Sequence, residues 1–457
     1  MPAIETTPIP GLLVVRLDLM VDERGWFKEN WQREKMVALG LPDFGPVQNN
    51  VSFNLTRGVT RGVHTEPWDK LVSVAHGRAF GAWVDMREGD TFGASFHVEL
   101  DEATAVFVPR GVGNSYQCLT DSVAYSYLVN EHWRPTADYP ALDLGDPDVA
   151  IPWPIPLSES TLSEKDQHTP RLRDVTPIAP KKTAILGAGG QVGRALAAAF
   201  PDAVPLTRAE LDVDDPAAVE EFDWSAYAII LNAAAMTAVD DAESEEGRQA
   251  AWRTNAAAPA ALARAATEHR LTLVHFSSEY VYDGTEAQER TEEEPLAPLG
   301  AYAASKAAGD LAVATTARHY LLRTSWVIGE GYNFVRTMQS LAERGISPAV
   351  VGDQVGRLTF ADELARAAAH LLNTGAPFGT YHVTNGGPVT SWHAIAQRVF
   401  ALSGREATDV SACTTEEYAE GKNLAPRPLN SALSLEKLRA TGFEPEPADD
   451  ALVRYLS

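Results

Sequence analysis

The chain has 457 residues, of which 45% are hydrophobic and 22% charged, a globular composition long enough for two domains that each bury a core. Its formal net charge of −24 excludes the basic surfaces that nucleic acid or an anionic membrane would need, although a few local cations can still hold a diphosphate. Two cysteines, Cys118 and Cys413, make neither a disulfide framework nor a thiolate metal site.

Residues 1–5 lack the basic and apolar regions of a secretory signal. The apolar stretch 11–15 is interrupted by Arg16 and Asp18, and no run reaches the roughly 18 apolar residues of a membrane span. A cytoplasmic protein is expected.

The first 157 residues read as short strands and turns. Lys70–Ala75 and Ala79–Asp85 flank a His76-Gly77 turn, and further strands are expected at 95–100, 105–108 and 123–129. Glu88-Gly89-Asp90 and Pro109-Arg110-Gly111 supply turns between them. Many short strands at this spacing predict an all-β jelly-roll barrel. His64 stands alone, without an H-x-H pair or a ligand cluster, so no metal site is expected. On its residues alone it reads first as a hydrogen-bonded core histidine, with a catalytic base as the alternative. Residues 158–180 are rich in Pro, Ser and charge, ending Thr176-Pro177-Ile178-Ala179-Pro180, and read as a linker.

From Lys181 the pattern changes to apolar runs (183–186, 228–231, 273–276) alternating with Ala-rich helical segments (191–200, 248–268, 305–318). This alternation predicts an α/β Rossmann domain, a doubly wound parallel sheet, over 181–457. Gly187, Gly190 and Gly193 form a G-x-x-G-x-x-G turn placed directly after a strand and opening a helix. Such a turn lets backbone approach a pyrophosphate at a helix N-terminus. Gln191 and Val192 belong to the same turn. The second strand, 203–206, ends at Thr207-Arg208, and a cation there favours NADPH while leaving NADH possible. Tyr302 and Lys306 lie four residues apart on one helix face. The ammonium is expected to lower the phenol pKa, so that Tyr302 hands a proton to a carbonyl oxygen as hydride reaches its carbon. A hydroxyl of Ser277 or Ser278 would bind the same oxygen.

The span 181–457 resembles the extended short-chain dehydrogenases, and within them the dTDP-4-dehydrorhamnose reductases. The resemblance rests on an ordered series: Asn232-Ala233-Ala234-Ala235-Met236-Thr237-Ala238-Val239-Asp240, Ser277–Gly284, Arg323-Thr324-Ser325-Trp326-Val327, Asp353-Gln354-Val355-Gly356 and Arg427-Pro428-Leu429-Asn430-Ser431. It implies Ser278, Tyr302 and Lys306 as the catalytic trio, with Ser278 where Thr is usual, and a small C-terminal substrate lobe. It implies that Asp212, Val213, Asn232, Ala233, Ala234, Ala235 and Thr237 line the cofactor with Arg208, and that Tyr280, Trp326, Asn333 and Arg427 lie near the nucleotide-sugar. Glu279 replaces the family's Asp, Arg357-Leu358 its Ser-Pro, and Met236 its Tyr.

The first half resembles the dTDP-4-dehydrorhamnose 3,5-epimerases, on Val21–Glu29, Thr60–His64, Asp69–Val72, Val84–Arg87 with Thr91-Phe92-Gly93, and Asp146-Pro147 with Trp153-Pro154. The resemblance implies His64 as base, Asp146 as its orienting carboxylate, Lys70 as the enolate stabiliser and Tyr127 as the acid on the opposite face. Arg24, Phe27, Glu29, Gln48, Asn50 and Arg61 would bind substrate. Three departures stand out: Asn114 replaces an active-site His, the loop between His64 and Lys70 is shorter than usual, and Trp133 stands where a second Tyr is usual. Both inversions, a single inversion, or binding alone remain open for this half.

The expected protein is a bifunctional enzyme of dTDP-L-rhamnose synthesis, inverting C3 and C5 of a 4-keto sugar without a cofactor and then reducing C4 with NADPH. A magnesium ion is neither required nor excluded by these residues. The resemblance implies a homodimer through the first domain. A nucleotide-binding regulatory protein is the non-catalytic alternative, and the intact Tyr302/Lys306 pair argues against it.

Overall fold

A computed structural model describes residues 3–133 and 139–457, and the chain divides into two compact units, Met1–Pro180 and Lys181–Ser457. The first unit contains β1 (Ala3–Thr6), β2 (Leu13–Arg16), β3 (Met20–Asp22), β4 (Gly25–Phe27), β5 (Gln48–Asn54), β6 (Thr60–His64), β7 (Lys70–His76), β8 (Ala79–Asp85), β9 (Ser95–Leu100), β10 (Thr104–Val108), β11 (Val112–Cys118) and β12 (Val123–Val129). They build a six-stranded sheet, β1-β2-β10-β7-β12-β5, and a four-stranded sheet, β6-β11-β8-β9, antiparallel throughout. Val14, Val72, Val74 and Val106 from one sheet meet Trp83, Leu100, Val112 and Tyr116 from the other in a single core. Strands buried on the inner face and packed sheet on sheet are what the jelly-roll expectation requires.

Residues 158–180, expected as a linker, are part of this unit. Thr161 pairs with Val59, and Ile178 with Arg87. Leu162, Leu172, Val175 and Ile178 pack against Val63, Val84 and Met86. The physical reason is that a few well-placed apolar side chains anchor a segment whose average composition is polar.

In the second unit β13 (Lys182–Leu186), β14 (Val204–Leu206), β15 (Tyr227–Asn232), β16 (Thr272–Ser278), β17 (His319–Thr324) and a sixth strand, Gly379–His382, form a wholly parallel sheet. Its order is β14-β13-β15-β16-β17 and then the sixth strand. Alternate residues face opposite layers. Ala184, Leu186, Ile230 and Leu273 meet the helix Ala258–Glu268, whereas Ile185, Leu231, Val274 and Leu322 meet the helices Gln191–Ala199 and Ala361–Thr374. The direction of winding reverses between β13 and β15, and ligands bind outside the carboxyl ends of strands at such a switch point. A separate core of Val335, Met338, Phe360, Ile395, Phe400 and Leu452 makes the C-terminal lobe. Among the described residues no helix is long and apolar enough to cross a membrane.

Candidate active sites

In the first unit one pocket gathers Arg61, His64, Glu66, Lys70, Asn114 and Tyr127, with Ser52, Tyr116 and Tyr125 completing its wall. Gly62 makes this convergence possible. Its φ is +116°, and a Cβ there would lie 2.5 Å from the Ser115 side chain, so only glycine lets β6 close on β11. That closure sets His64 directly opposite Asn114 in the ladder.

His64 Nε2 lies 2.7 Å from Asp166 Oδ1. Burial alone would raise the Asp166 carboxyl, but the hydrogen bond and charge of His64, with donors from Ser163 and Gly62, hold it below its ordinary range. Asp166 therefore stays an acceptor, which places the proton on Nε2 and the free lone pair on Nδ1. The expected partner, Asp146, does something else. It accepts the backbone N–H groups of Asp148, Val149 and Leu172 and folds the loop around it. Asp166 was missed because it lies in the polar stretch read as a linker.

Lys70 is buried and paired with Glu66, and burial pushes its ammonium down to about 7. Glu66, two residues after His64, had no motif to announce it. Burial raises the Tyr127 phenol, so it is a protonated donor at neutral pH. Arg61 Nε donates to Asn54 Oδ1 at 3.0 Å. Gln48 and Asn50 lie on the same side of β5 as Ser52, joined by a 2.9 Å hydrogen bond. Arg24, Phe27 and Glu29 do not reach this pocket. Arg24 pairs with Asp22 and Glu29 with Lys35, and Phe27 is exposed, because the β3–β4 hairpin projects from the sheets. Trp133 is exposed, its backbone N–H donating to Gln48 Oε1 at 3.3 Å.

In the second unit Gly187 (φ +73°) turns the chain where a Cβ would lie 2.6 Å from the Ala234 nitrogen. At Gly193 a Cβ would strike the Gly187 carbonyl at 2.1 Å, so the helix packs directly on the turn. Gly190 caps that helix, and a Cβ at the neighbouring Gly189 would meet nothing within 4 Å, so the turn leaves room for an anion at the helix N-terminus. These residues fit a dinucleotide pyrophosphate. Val192 packs against the core. Asn232 Nδ2 contacts His275 Nδ1 at 3.0 Å and its Oδ1 accepts from Ala234, shaping the loop through Ala233, Ala235 and Thr237. Asn255 holds the next turn, bonding both the N–H and the carbonyl of Met236, and also Ser305 Oγ. It sits in a π-helical turn, Arg253–Ala257, a distortion often found at functional sites and invisible to a 3.6-residue pattern.

Arg208 follows β14 as expected, but it is exposed and paired with Asp214 at 3.0 Å and Asp212 at 3.7 Å. The Val213 side chain is committed to the core.

Ser278 ends β16. Its hydroxyl accepts from the Tyr280 N–H and donates to Glu279 Oε2 at 2.8 Å. Tyr302 and Lys306 share a face of the helix Ala301–Val313, four residues earlier in onset than the pattern implied because Gly300 caps it. Lys306 Nζ donates to the Phe276 carbonyl at 2.7 Å, and burial pushes its ammonium down to about 8. The expected lowering of the Tyr302 phenol is reversed. Burial, then Glu279 and Tyr280, hold it above its ordinary range, with the Ser278 hydrogen bond opposing. A proton donor must carry its proton, so this suits reduction. Burial likewise raises Glu279 to about 7.

Tyr280 packs edge-on to Tyr302, ring centroids 5.8 Å apart, and hydrogen-bonds Arg427, which itself donates to Asp240 Oδ2 at 2.8 Å. Trp326 adopts a left-handed φ of +47° and stacks on Trp392 at 3.9 Å. Asn333 is not free for a sugar. Its Oδ1 caps the helix Phe334–Glu343, and its Nδ2 donates to Gly329, Gly331 and Tyr455. Cap chemistry, strongly favoured for Asn, explains the residue. Among the described residues no three His, Cys, Asp or Glu cluster to hold a metal ion.

A family profile described as RmlD substrate binding domain matches residues 181–457, and one described as dTDP-4-dehydrorhamnose 3,5-epimerase matches 6–174. The chain belongs to both families, one in each unit. The epimerase-family unit is 46% identical to a Streptococcus pyogenes protein described as an RmlC homolog, covering 39% of this chain and 92% of that protein. The RmlD-family unit is 39% identical to a dTDP-4-dehydrorhamnose reductase of Burkholderia thailandensis, over 56% of this chain and 92% of the relative. It also superposes on a solved Bacillus anthracis dTDP-4-dehydrorhamnose reductase in complex with NADP, with a TM-score of 0.55, 31% identity, and coverage of 61% and 98%. The epimerase-family match extends to residue 174 and so includes Asp166.

Proposed function

We propose that the epimerase-family unit inverts C3 and C5 of dTDP-4-dehydro-6-deoxy-D-glucose and that the RmlD-family unit reduces the resulting C4 ketone with NADPH, yielding dTDP-L-rhamnose. The carrying observation is that the two units present complementary chemistry for one ketone: a base dyad facing a phenol in the first, and a buried Tyr–Lys pair with the half-buried Ser278 at a switch point of the parallel sheet in the second.

In the first unit the 4-keto group acidifies the hydrogens on C3 and C5. His64 Nδ1 takes one as a proton, leaving an enolate, and Asp166 stabilises the imidazolium. Tyr127 returns a proton to the opposite face of that carbon, which inverts it. In the second unit the nucleotide, when bound, supplies hydride. Ser278 and Tyr302 orient the ketone oxygen, and Tyr302 gives it a proton. Lys306 stands behind Tyr302 to favour the phenolate that remains.

A homodimer through the first unit accords with Val51 and Phe53, exposed on the edge strand β5, and with the outlying β3–β4 hairpin carrying Arg24 and Phe27. A cytoplasmic enzyme accords with the two unpaired cysteines.

The test is incubation with dTDP-4-dehydro-6-deoxyglucose in deuterated buffer. Deuterium at C3 and C5 without NADPH, and NADPH oxidation yielding dTDP-L-rhamnose when it is added, are the expected results. Absence of either refutes the corresponding unit's assignment. Light scattering of the intact chain tests the dimer.

A further inference from the structure

Asn114 stands where the epimerase resemblance implies a histidine, and its surroundings determine what it offers instead. The Trp83 Nε1 lies 2.9 Å from Asn114 Oδ1, and the Tyr125 hydroxyl lies 3.1 Å from the same oxygen. An indole N–H can only donate, so the atom facing it must be the amide oxygen and the amide cannot be turned over. Trp83 and Tyr125 are themselves almost wholly buried. Burial also holds the Tyr125 phenol well above its ordinary range, which keeps it a donor. Both clamping groups therefore act together, and Asn114 Nδ2 is left with two N–H donors and no acceptor paired to them among the described residues.

Those donors belong to the pocket that holds His64, Lys70 and Tyr127. Asn114 is the cross-strand partner of His64, and side chains directly opposite on one sheet face are neighbours. An amide neither takes nor gives a proton near neutral pH, so Asn114 does not do a histidine's acid–base work. Lys70, which lines the pocket with Arg61, is already paired with Glu66, so a further donor that carries no charge and needs no desolvation of an ion has a use here.

We infer that Asn114 is a catalytic residue of the first unit, a fixed hydrogen-bond donor to the C4 oxygen of the sugar as it becomes an enolate. The inference rests on the epimerase reading above. When the C3 proton leaves, the electron pair of the C–H bond forms C3=C4 and the carbonyl pair moves to O4. When the C5 proton leaves, C4=C5 forms and O4 again takes the charge. One oxygen thus serves both enolates, and a donor aimed at it must assist both inversions alike.

The test is Asn114→Asp in the full-length protein, with deuterium incorporation at C3 and C5 read separately by NMR without NADPH. The shorter Asn114→Ser is measured beside it, in case the buried carboxylate disturbs folding. Removal of one such donor typically costs about 100-fold or more in rate, and that loss is expected at both carbons by the same factor. The affinity for dTDP, measured by calorimetry, and NADPH oxidation with dTDP-4-dehydrorhamnose supplied directly are expected to stay as in the unaltered protein. Exchange at the unaltered rate, or loss confined to one carbon, overturns the inference. Absence of exchange at both carbons in the unaltered protein instead overturns the epimerase reading on which it stands.

Discussion

His64 and Asp166 meet at 2.7 Å although 102 positions separate them in the chain. The contact divides the two aspartates of this region by role, because Asp146 spends its oxygens on three backbone N–H groups. Asp166→Asn is expected to lower deuterium exchange at C3 and C5 by at least about 100-fold, the scale of a lost acid–base partner. Asp146→Asn is expected to lower the melting temperature and leave the exchange rate per folded molecule within a few-fold. The reverse pattern would restore Asp146 as the orienting carboxylate.

A fragment of residues 1–180 should fold and catalyse exchange, whereas 1–157 should not. The shorter piece lacks Asp166, and it strips Leu162, Leu172, Val175 and Ile178 from Val63, Val84 and Met86. Circular dichroism melts and exchange rates of the two fragments decide this. An active 1–157 fragment would show that the segment is dispensable.

Tyr302→Phe removes the proton donor and leaves the ring in its packing against Tyr280. NADPH oxidation should fall by about 100-fold or more while isotope exchange in the first unit continues unchanged. His64→Ala should abolish isotope exchange with dTDP-4-dehydro-6-deoxyglucose and leave NADPH oxidation unchanged when dTDP-4-dehydrorhamnose is supplied directly. Were Tyr302→Phe to keep its reductase rate, the proton would have to come from elsewhere.

Glu279 supplies a pH dependence with a definite sign. Its carboxyl is raised by burial from 4.5 to about 7, so between those values the folded state holds a proton that the unfolded chain has released. Its contribution is greatest below about pH 4.5, declines as pH rises through 7, and is flat above. Glu279→Gln, which cannot ionise, should therefore gain in melting temperature relative to the unaltered protein as pH goes from 5 to 8. A difference that stays constant across that range would mean that Glu279 remains ionised throughout.

Much of the architecture was legible from residues. The strands at Lys70–His76 and Ala79–Asp85 were announced by β-branched and aromatic runs around a His76-Gly77 turn. The parallel sheet was announced by apolar runs between Ala-rich helices. Residues 158–180 were not legible, because four anchoring apolar side chains at irregular spacing leave no period to detect. Glu66 and Asp166 lay outside any motif, and Asn255 depends on a π-turn that no helical template contains. Asn333 and Asp146 matched family positions, yet local backbone groups consume their side chains. Motif agreement locates a residue; it does not say which atoms remain available to a ligand.

The long separation between His64 and Asp166 has a consequence for synthesis. A ribosome delivers the imidazole early and its carboxylate partner about a hundred residues later, and domains fold as units once complete. The nascent first unit thus stays catalytically silent until nearly all of it has been translated, and its chemistry begins only as the glycine turn of the second unit starts to emerge.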